Sequence, residues 1–248
     1  MTAFNKIKEL QVREKYQRTY FASITHDFRT PIGIISGNSE ILLDLVTDSY
    51  QRKQIINIHQ ASSILLLLVQ DILDYSQLKE CTLQIASSEF ILEKELASLT
   101  DLFIPKFRDK GLTLMFNINK RVPKTIFNDA NRIKQILMNL ISNAFKFTKQ
   151  GYVEVHVDFD ERDKKVIINV KDTGVGMEAS EADTLFKEYS KLQRHQELNP
   201  MGIGLGLHIC KQLVMKLGGM ITVQSQVDVG TTFTFSISSN LQFEGKKY

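Results

Sequence analysis

The chain has 248 residues, of which 43% are hydrophobic and 24% are charged. This balance is ordinary for a soluble globular protein and excludes the disordered and fibrous classes. The length suits one large domain or two small ones. The formal net charge of +3 is too small to indicate a nucleic-acid-binding surface, so we predict no nucleic-acid partner.

Cysteine usage and hydropathy both bear on the compartment. Cys81 and Cys210 are far apart and lack the spacing of a zinc site, so we predict two inert thiols in a reducing compartment. The longest unbroken apolar run is Ile64–Val69, whereas a membrane-spanning helix needs about 20 apolar residues. We therefore predict a cytoplasmic piece with no direct membrane contact, which is compatible with a membrane-tethered parent protein.

The first 79 residues have the pattern of two long helices. Glycine occurs there only at Gly33 and Gly37, proline only at Pro31, and apolar residues recur at helical spacing. Polar residues 47–49 interrupt the pattern, and we predict Ser49 as the N-cap of the second helix. The apolar stripe of the first helix is formed by Ile24, Phe28, Ile32, Ile35, Leu42 and Leu45.

The second helix carries more apolar surface than one neighbouring helix covers. Its seam repeats every seven residues, as in a coiled coil. The seam residues are Ile58, Leu65 and Ile72, with Ala61, Leu68 and Tyr75 between them, and the face is widened by Leu66, Leu67, Val69 and Leu73. We predict that residues 1–80 form a helical hairpin that pairs with a second copy in a dimeric four-helix bundle.

Residues 81–248 have the alternating short segments of an α+β domain. The predicted strands are Leu83–Ile85, Leu112–Ile118, Tyr152–Phe159, Lys165–Lys171, Met220–Gln224 and Thr231–Ile237. The predicted helices are Ile91–Asp109, Ala130–Phe147 and Leu205–Leu217. Residues Ser190–Met201 lack periodicity, and we predict a mobile loop there.

A histidine on the first helix is the first candidate functional residue. At 100° per residue His26 lies about 200° from Ile24, so it faces solvent on the side opposite the apolar stripe. Thr30, Gly33 and Gly37 share its face. A glycine inside a helix costs about 1 kcal/mol relative to alanine, so this face indicates close approach of another protein surface. A merely kinked helix at Pro31 is the alternative.

Two further groups of residues have the chemistry of a nucleotide site. Asn139, Asn143 and Lys146 share one helix face, where an amide oxygen suits Mg²⁺ and a lysine suits phosphate. A solvated helix face is the alternative.

Glycines before a helix N-terminus present free N–H groups to phosphate, and a carboxylate can accept a hydrogen bond from a base amine. Ordinary turns are the alternative. This second group comprises Asp172, Gly174, Gly176, Gly202, Gly204 and Gly206. The Rossmann, P-loop and serine/threonine/tyrosine kinase motifs are absent from the sequence.

Taken in order, these stretches resemble the sensor histidine kinases of two-component signalling, from about Arg18 to Ile237. The motifs are FASITHDFRTP with His26, NDANRIKQILMNLISNAFKFT, DTGVGM, LFKEY, GIGLGL and GTTF. Three positions depart from the family pattern. Asp27 stands where glutamate is more frequent, Gly33 where a polar residue is common, and Glu188 where proline is usual.

The resemblance implies a fold and a set of roles. ATP is expected to bind in an α/β sandwich of the gyrase and Hsp90 kind, with Asp172 on adenine, Asn143 on Mg²⁺ and Lys146 on phosphate. The glycines of both loops and Thr232 complete the expected nucleotide-binding set. His26 is the expected phosphoacceptor, and Asp27 is expected to orient its ring or accept its proton.

The resemblance also implies a reaction and leaves alternatives open. We expect autophosphorylation of His26 and transfer to an aspartate of a response-regulator receiver domain. Related ATPases have a glutamate base at the position of Asn139, so transfer is favoured over hydrolysis. A net phosphatase, with Thr30 orienting water, is one alternative. A silent ATP-binding dimerisation module is another, although intact His26, Asn143 and Asp172 argue against it.

Overall fold

The structure is a computed structural model that describes residues 28–182, 184–188, 190 and 204–240. The predictions made for Ile24, His26, Asp27, Gly202 and almost all of the 190–201 loop lie outside these residues. The chain divides into two compact units, Met1–Leu83 and Gln84–Tyr248. The predicted boundary, between residues 80 and 81, lies slightly before this break.

Two helices form the described part of the first unit. Helix α1 covers residues 28–45, and helix α2 covers Ser49–Lys79. The N-cap of α2 is Asp48, which has an extended backbone and whose Oδ1 accepts the Gln51 N–H at 2.8 Å. The prediction of Ser49 was wrong by one residue, because Ser49 is already helical and the preceding carboxylate takes the N-terminal N–H groups.

Hydrogen bonds join α1 to α2 along the inner side of the hairpin. The guanidinium of Arg29 donates to Gln70 Oε1 at 2.7 Å, and Gln70 Nε2 donates to Asp74 Oδ1 at 3.0 Å. The ring nitrogen His59 Nδ1 lies 3.1 Å from Ser39 Oγ. Ser39 and Asp74 are buried, so this interior is partly polar and its buried groups are hydrogen-bonded.

The apolar side chains of the hairpin mostly face outward. Among the described stripe residues of α1 only Ile32 is buried. The exposed ones on the two helices include Phe28, Ile35, Leu42, Leu45, Ile58, Leu65 and Ile72. A single chain thus leaves uncovered the apolar face from which the bundle was predicted, and the dimer itself stays a prediction.

The two glycines of α1 stand in open space. A Cβ atom added at Gly33 or Gly37 would meet nothing within 4 Å in the described chain. We expect Gly33→Ala and Gly37→Ala each to stabilise α1 by about 1 kcal/mol, because alanine has the higher helix propensity and restricts the unfolded chain. Hydrogen exchange of the α1 amides measures this, and faster exchange in either variant would contradict it.

By length and composition alone, α2 is able to cross a membrane. Its most apolar window has a mean hydropathy of 1.4, and 19% of that window is buried. One such helix is weak evidence, because core helices of soluble proteins meet the same criterion. The predicted lack of membrane contact therefore stays a prediction.

The second unit is built on a mixed sheet. Its strands are β1 (Ser88–Ile91), β2 (Thr113–Ile118), β3 (Thr125–Asn128), β4 (Tyr152–Asp160), β5 (Lys165–Asp172), β6 (Ile221–Gln226) and β7 (Gly230–Ser238). Its helices are α3 (Leu92–Asp109), α4 (Ala130–Phe147), α5 (Ala179–Ala182) and α6 (Gly206–Lys216). Within the described residues five strands form one sheet in the order β2-β4-β5-β7-β6, and β1 pairs with β3 in a second.

The main sheet has one buried face and one partly exposed face. Residues of β4, β5 and β7 alternate between buried and partly exposed, as expected of strands covered on one side. Contacts join α3 to β2, α4 to β4 and β5, and α6 to β7. The predicted α+β class is confirmed, with a helical N-terminal region and a sheet-based second domain.

The element predictions for this unit hold except at its start. The strand predicted at Leu83–Ile85 was wrong, because Leu83 N–H donates to the Gln77 carbonyl as a continuation of the α2 end, and the first strand is β1. Strand β3 and the short α5 were not predicted. Helix α4 begins and ends at the predicted residues.

Candidate active site

A buried carboxyl group ends the central strand β5. Asp172 lies on the buried face of the sheet with a side chain that is 6% exposed, and its Oδ1 accepts the Gly174 N–H at 2.8 Å. Burial raises the pKa of Asp172 to about 6, although hydrogen bonds from the backbone of Gly174 and Thr231 favour the charged form. The group is a strong, desolvated acceptor for a ligand that donates hydrogen bonds.

The loop after Asp172 is held between α4 and the β6–β7 turn. Val175 N–H donates to the Phe147 carbonyl at the end of α4, and Asp228 N–H donates to the Val175 carbonyl at 2.9 Å. Gly176 has a φ of 62°, and a Cβ there would lie 1.9 Å from the Gln226 carbonyl oxygen. Only glycine fits this position, because both the backbone angle and the space exclude a side chain.

Helix α4 places the two predicted asparagines side by side. Asn143 Nδ2 donates to Asn139 Oδ1 at 3.0 Å. The opposite face of α4 enters the core through Ile133, Ile136, Leu137, Leu140, Ile141 and Ala144. The amphipathic pattern therefore fixes the asparagines on the side away from the core.

The N-terminus of α6 packs directly on this asparagine pair. A Cβ at Gly206 would lie 2.2 Å from Asn139 Nδ2, so the glycine allows the helix end and the amide to touch. The N-cap residue Leu205 makes no side-chain cap, and the first N–H groups of a helix are suitable donors for an anion. Gly204 directly precedes this turn.

Lys146 lies in the last turn of α4. The end of that helix is held by Lys110, whose Nζ donates to the Phe145 carbonyl at 2.5 Å and lies 4.5 Å from the Phe145 ring centroid. Burial lowers the pKa of Lys110. This contact fixes the helix turn from which Lys146 extends.

The donor chemistry of α4 fits a hard cation that also binds a nucleotide. Among the described residues no group of three histidine, cysteine, aspartate or glutamate side chains could hold a metal ion. The bond from Asn143 to Asn139 uses the Asn143 amide nitrogen, so the Oδ1 oxygen is the atom suited to Mg²⁺. Mg²⁺ typically takes one or two protein oxygens and completes its shell with phosphate and water.

The structure brings Thr231, and not the predicted Thr232, next to Asp172. Thr231 is paired with Asp172 across β5 and β7, whereas Thr232 is paired with Lys171. Because side chains alternate along a strand, Thr232 lies on the other face of the sheet. Thr231 Oγ1 contacts Ser225 Oγ at 2.9 Å, and that hydroxyl accepts the Met177 N–H.

Phe186 of the LFKEY motif is attached to the first turn of α6. His208 Nδ1 lies 3.1 Å from the Phe186 carbonyl oxygen. The Phe186 ring packs edge-on against the Phe233 ring, with 6.3 Å between the ring centroids. Glu188, which stands where the family usually has proline, approaches His208 Nε2 at 3.9 Å. Sequence reasoning did not identify His208, because a lone histidine inside a helix carries no specific motif.

Two family models match the chain. The model of the His Kinase A (phospho-acceptor) domain matches residues 16–81. The model of the histidine kinase-, DNA gyrase B- and HSP90-like ATPase matches residues 128–240. The chain belongs to the histidine kinase family. The resemblance inferred from the six motifs is thereby confirmed, together with the ATP-binding class of the second domain.

The curated relatives of this histidine kinase are much longer than the chain. Hybrid signal transduction histidine kinase B of Dictyostelium discoideum is 31% identical over 240 residues, which are 96% of this chain and 12% of that protein. The aerobic respiration control sensor protein ArcB of Escherichia coli strain K12 is 33% identical over 241 residues, which are 93% of this chain and 31% of that protein. For this chain, the activities and partners of the whole relatives are therefore only proposals.

A solved structure supports the same fold. The crystal structure of full-length ShkA in complex with AMPPNP has a TM-score of 0.68 and 26% identity, and it covers 88% of this chain and 45% of that one. Within this histidine kinase, His26, Asp27 and Thr30 fall in the phospho-acceptor match. Of these, Thr30 is described and is exposed on α1.

Proposed function

We propose that this histidine kinase phosphorylates its own His26 from ATP and passes the phosphoryl group to an aspartate of a response-regulator receiver domain. One observation carries the proposal. The chain that matches a phospho-acceptor domain around His26 also matches an ATPase-like domain, in which the chemistry of buried Asp172 and the asparagine pair suits a nucleotide.

Each site residue has a role that follows from its environment. Asp172 accepts a hydrogen bond from the adenine amine, and the N–H groups at the start of α6 bind phosphate oxygens. Lys146 neutralises phosphate charge, and Asn143 holds Mg²⁺ through its amide oxygen. Mg²⁺, when bound, neutralises the charge of the phosphates and aligns them for transfer.

The transfer step is an in-line displacement. A ring nitrogen of His26 forms a bond to the γ-phosphorus as the bond from phosphorus to the bridging oxygen breaks, and ADP leaves with that electron pair. The ring proton passes to the Asp27 carboxylate.

Asn139 makes hydrolysis the lesser reaction. An amide lacks the basicity needed to remove a proton from water, and Asn139 Oδ1 already accepts a hydrogen bond from Asn143. The phosphoryl group therefore has no activated water at this position. Because its substrate ATP is cytoplasmic, we also infer a cytoplasmic position for this part of the protein.

Incubation of the chain with γ-labelled ATP and Mg²⁺ tests the activity. We expect protein-bound label that is lost in acid and kept in base, as a phosphoramidate requires. Release of labelled phosphate without labelled protein would favour an ATPase. Unlabelled protein that dephosphorylates a phospho-regulator would favour the phosphatase.

The exposed apolar face of α2 is the reason for proposing that the chain pairs with a second copy. Leu65 is 46% exposed within that face, and covering it against a second hairpin removes its area from water. We expect Leu65→Glu to convert a dimer to a monomer in sedimentation experiments. Met215→Glu, which changes a 58% exposed methionine of the second unit, is the matched control and leaves the dimer intact. A monomeric unmodified chain at micromolar concentration would contradict the assembly.

A further inference from the structure

The carboxylate of Asp129 holds two separate parts of the second unit. Asp129 is the N-cap of α4 and is 4% exposed. Its Oδ1 accepts the Arg132 N–H at 3.1 Å, which is the helix cap. Its Oδ2 accepts the Ala86 N–H at 2.8 Å, and Ala86 belongs to the segment that enters this unit from α2.

The segment between the helical unit and Ala86 is very short. At its start, the Thr82 and Leu83 N–H groups donate to the Gln77 carbonyl at 2.9 and 3.2 Å, which extends the end of α2. Leu83 is buried. At its end, Ala86 is bonded to Asp129. Gln84 and Ile85 are thus the residues left between an anchor in one unit and an anchor in the other.

We propose that Asp129 is a positioning residue for histidine phosphorylation, because its second oxygen limits the tether between the two units to residues 84 and 85. This proposal rests on the proposed function, since it assumes that ATP held by one unit must reach His26 in the other. Within one chain or one assembly, the effective concentration of the reacting groups depends on tether length. Without the bond to Ala86, the next residue fixed in the second unit is Ser88, which pairs with Asn128.

Helix capping alone does not account for the carboxylate. A cap requires one acceptor oxygen, and asparagine serves there as well as aspartate. The buried second oxygen is used by a backbone N–H group 43 residues away in the sequence. Asp129→Asn therefore separates the two roles, because its oxygen still caps α4 while its NH₂ group faces the Ala86 N–H as a second donor.

In Asp129→Asn the free tether grows from two residues to about four, and effective concentration falls roughly as the −3/2 power of length. We expect the autophosphorylation rate at saturating ATP to fall about threefold. The KM for ATP and the binding of a non-hydrolysable ATP analogue are expected to stay unchanged. Hydrogen exchange at the Ala86 amide is expected to accelerate.

Three controls accompany this variant. Asp48→Asn makes the same change at the cap of α2, where the carboxylate accepts the Gln51 N–H, and is expected to leave the rate unchanged. Insertion of Gly-Ser after Ile85 lengthens the tether directly and is expected to reproduce the rate of Asp129→Asn. Asp129→Ala removes both bonds and is expected also to weaken nucleotide binding through α4.

Four results would overturn the proposal. Unchanged exchange at Ala86 would show that the anchor is absent. Faster exchange with an unchanged rate would show that tether length is irrelevant. Loss of analogue binding in Asp129→Asn would reduce Asp129 to a structural cap. A Gly-Ser insertion that leaves the autophosphorylation rate unchanged would also show that tether length is irrelevant. If the unmodified chain is never labelled, the proposed function fails, while the exchange measurement still decides whether the anchor exists.

Discussion

Replacing His26 by glutamine is expected to abolish acid-labile labelling of the protein and to leave ATP binding intact. Glutamine keeps the polarity of the side chain but has no imidazole nitrogen to form the phosphoramidate. The nucleotide contacts proposed for Asp172 and Asn143 lie in a separate compact unit, so they do not depend on residue 26. Labelling and analogue binding, measured on the same preparation, check both parts of this expectation.

Label that persists in His26→Gln would move the phosphoacceptor to another histidine. The ring nitrogens of two of the alternatives already have hydrogen-bond partners. His59 bonds inside the hairpin with Ser39, and His208 is held at the Phe186 carbonyl. His156 lies on the partly exposed face of β4, and His195 is outside the described residues. Acid-labile label in the variant, mapped to one of these positions, would contradict the assignment of His26.

The sequence predicted those parts of the fold whose pattern is local. Strands β4, β5 and β7 alternate between apolar and polar residues, and α4 repeats at helical spacing, so each was located within two residues. Strand β3 has four residues between Pro123 and Asp129 and no alternation of that kind. Leu83 is apolar and buried, but its N–H continues the end of α2, so its apolar character gave a false strand prediction.

The sequence indicates the residue types of the candidate site, whereas their contacts come only from the structure. Asp172, the asparagine pair and the glycines follow from chemistry and spacing. Choosing Thr231 over Thr232 requires the register of β5 against β7, which no single segment contains. The bond from Ala86 to Asp129 joins residues 43 positions apart and leaves no local sequence pattern.

Asp172→Ala is expected to weaken ATP binding about 10- to 100-fold and so to remove autophosphorylation at ordinary ATP concentrations. A hydrogen bond to a charged group contributes roughly 1.5–3 kcal/mol, and alanine leaves both the adenine amine and the Gly174 N–H without this acceptor. Titration with a non-hydrolysable ATP analogue measures the loss. Asp172→Glu tests geometry, because it keeps the charge and displaces the oxygens.

The raised pKa of Asp172 predicts opposite pH trends for stability and for nucleotide affinity. The pKa in the folded protein is about 6, above the ordinary aspartate value of 3.8, so the folded state holds the proton more tightly. This contribution to stability is fully present below pH 3.8 and is lost as the pH rises through 6. This difference in pKa between the folded and unfolded states corresponds to about 3 kcal/mol. At neutral pH the nucleotide-free protein thus contains an unfavourable buried charge.

The proposed contact of Asp172 with adenine requires that charge, because the adenine amine donates and a protonated carboxyl is a poor acceptor. We expect affinity to fall up to tenfold per pH unit below about pH 6 and to be level above pH 7. Asp172→Asn has no titration at this position, so the affinity ratio of the unmodified chain to this variant isolates the effect from titration of the ATP phosphates. At pH 7 the same variant is expected to raise the melting temperature of the nucleotide-free protein, because it removes the buried charge. A ratio that stays constant from pH 5 to pH 7.5 would show that Asp172 does not bind adenine through its carboxylate.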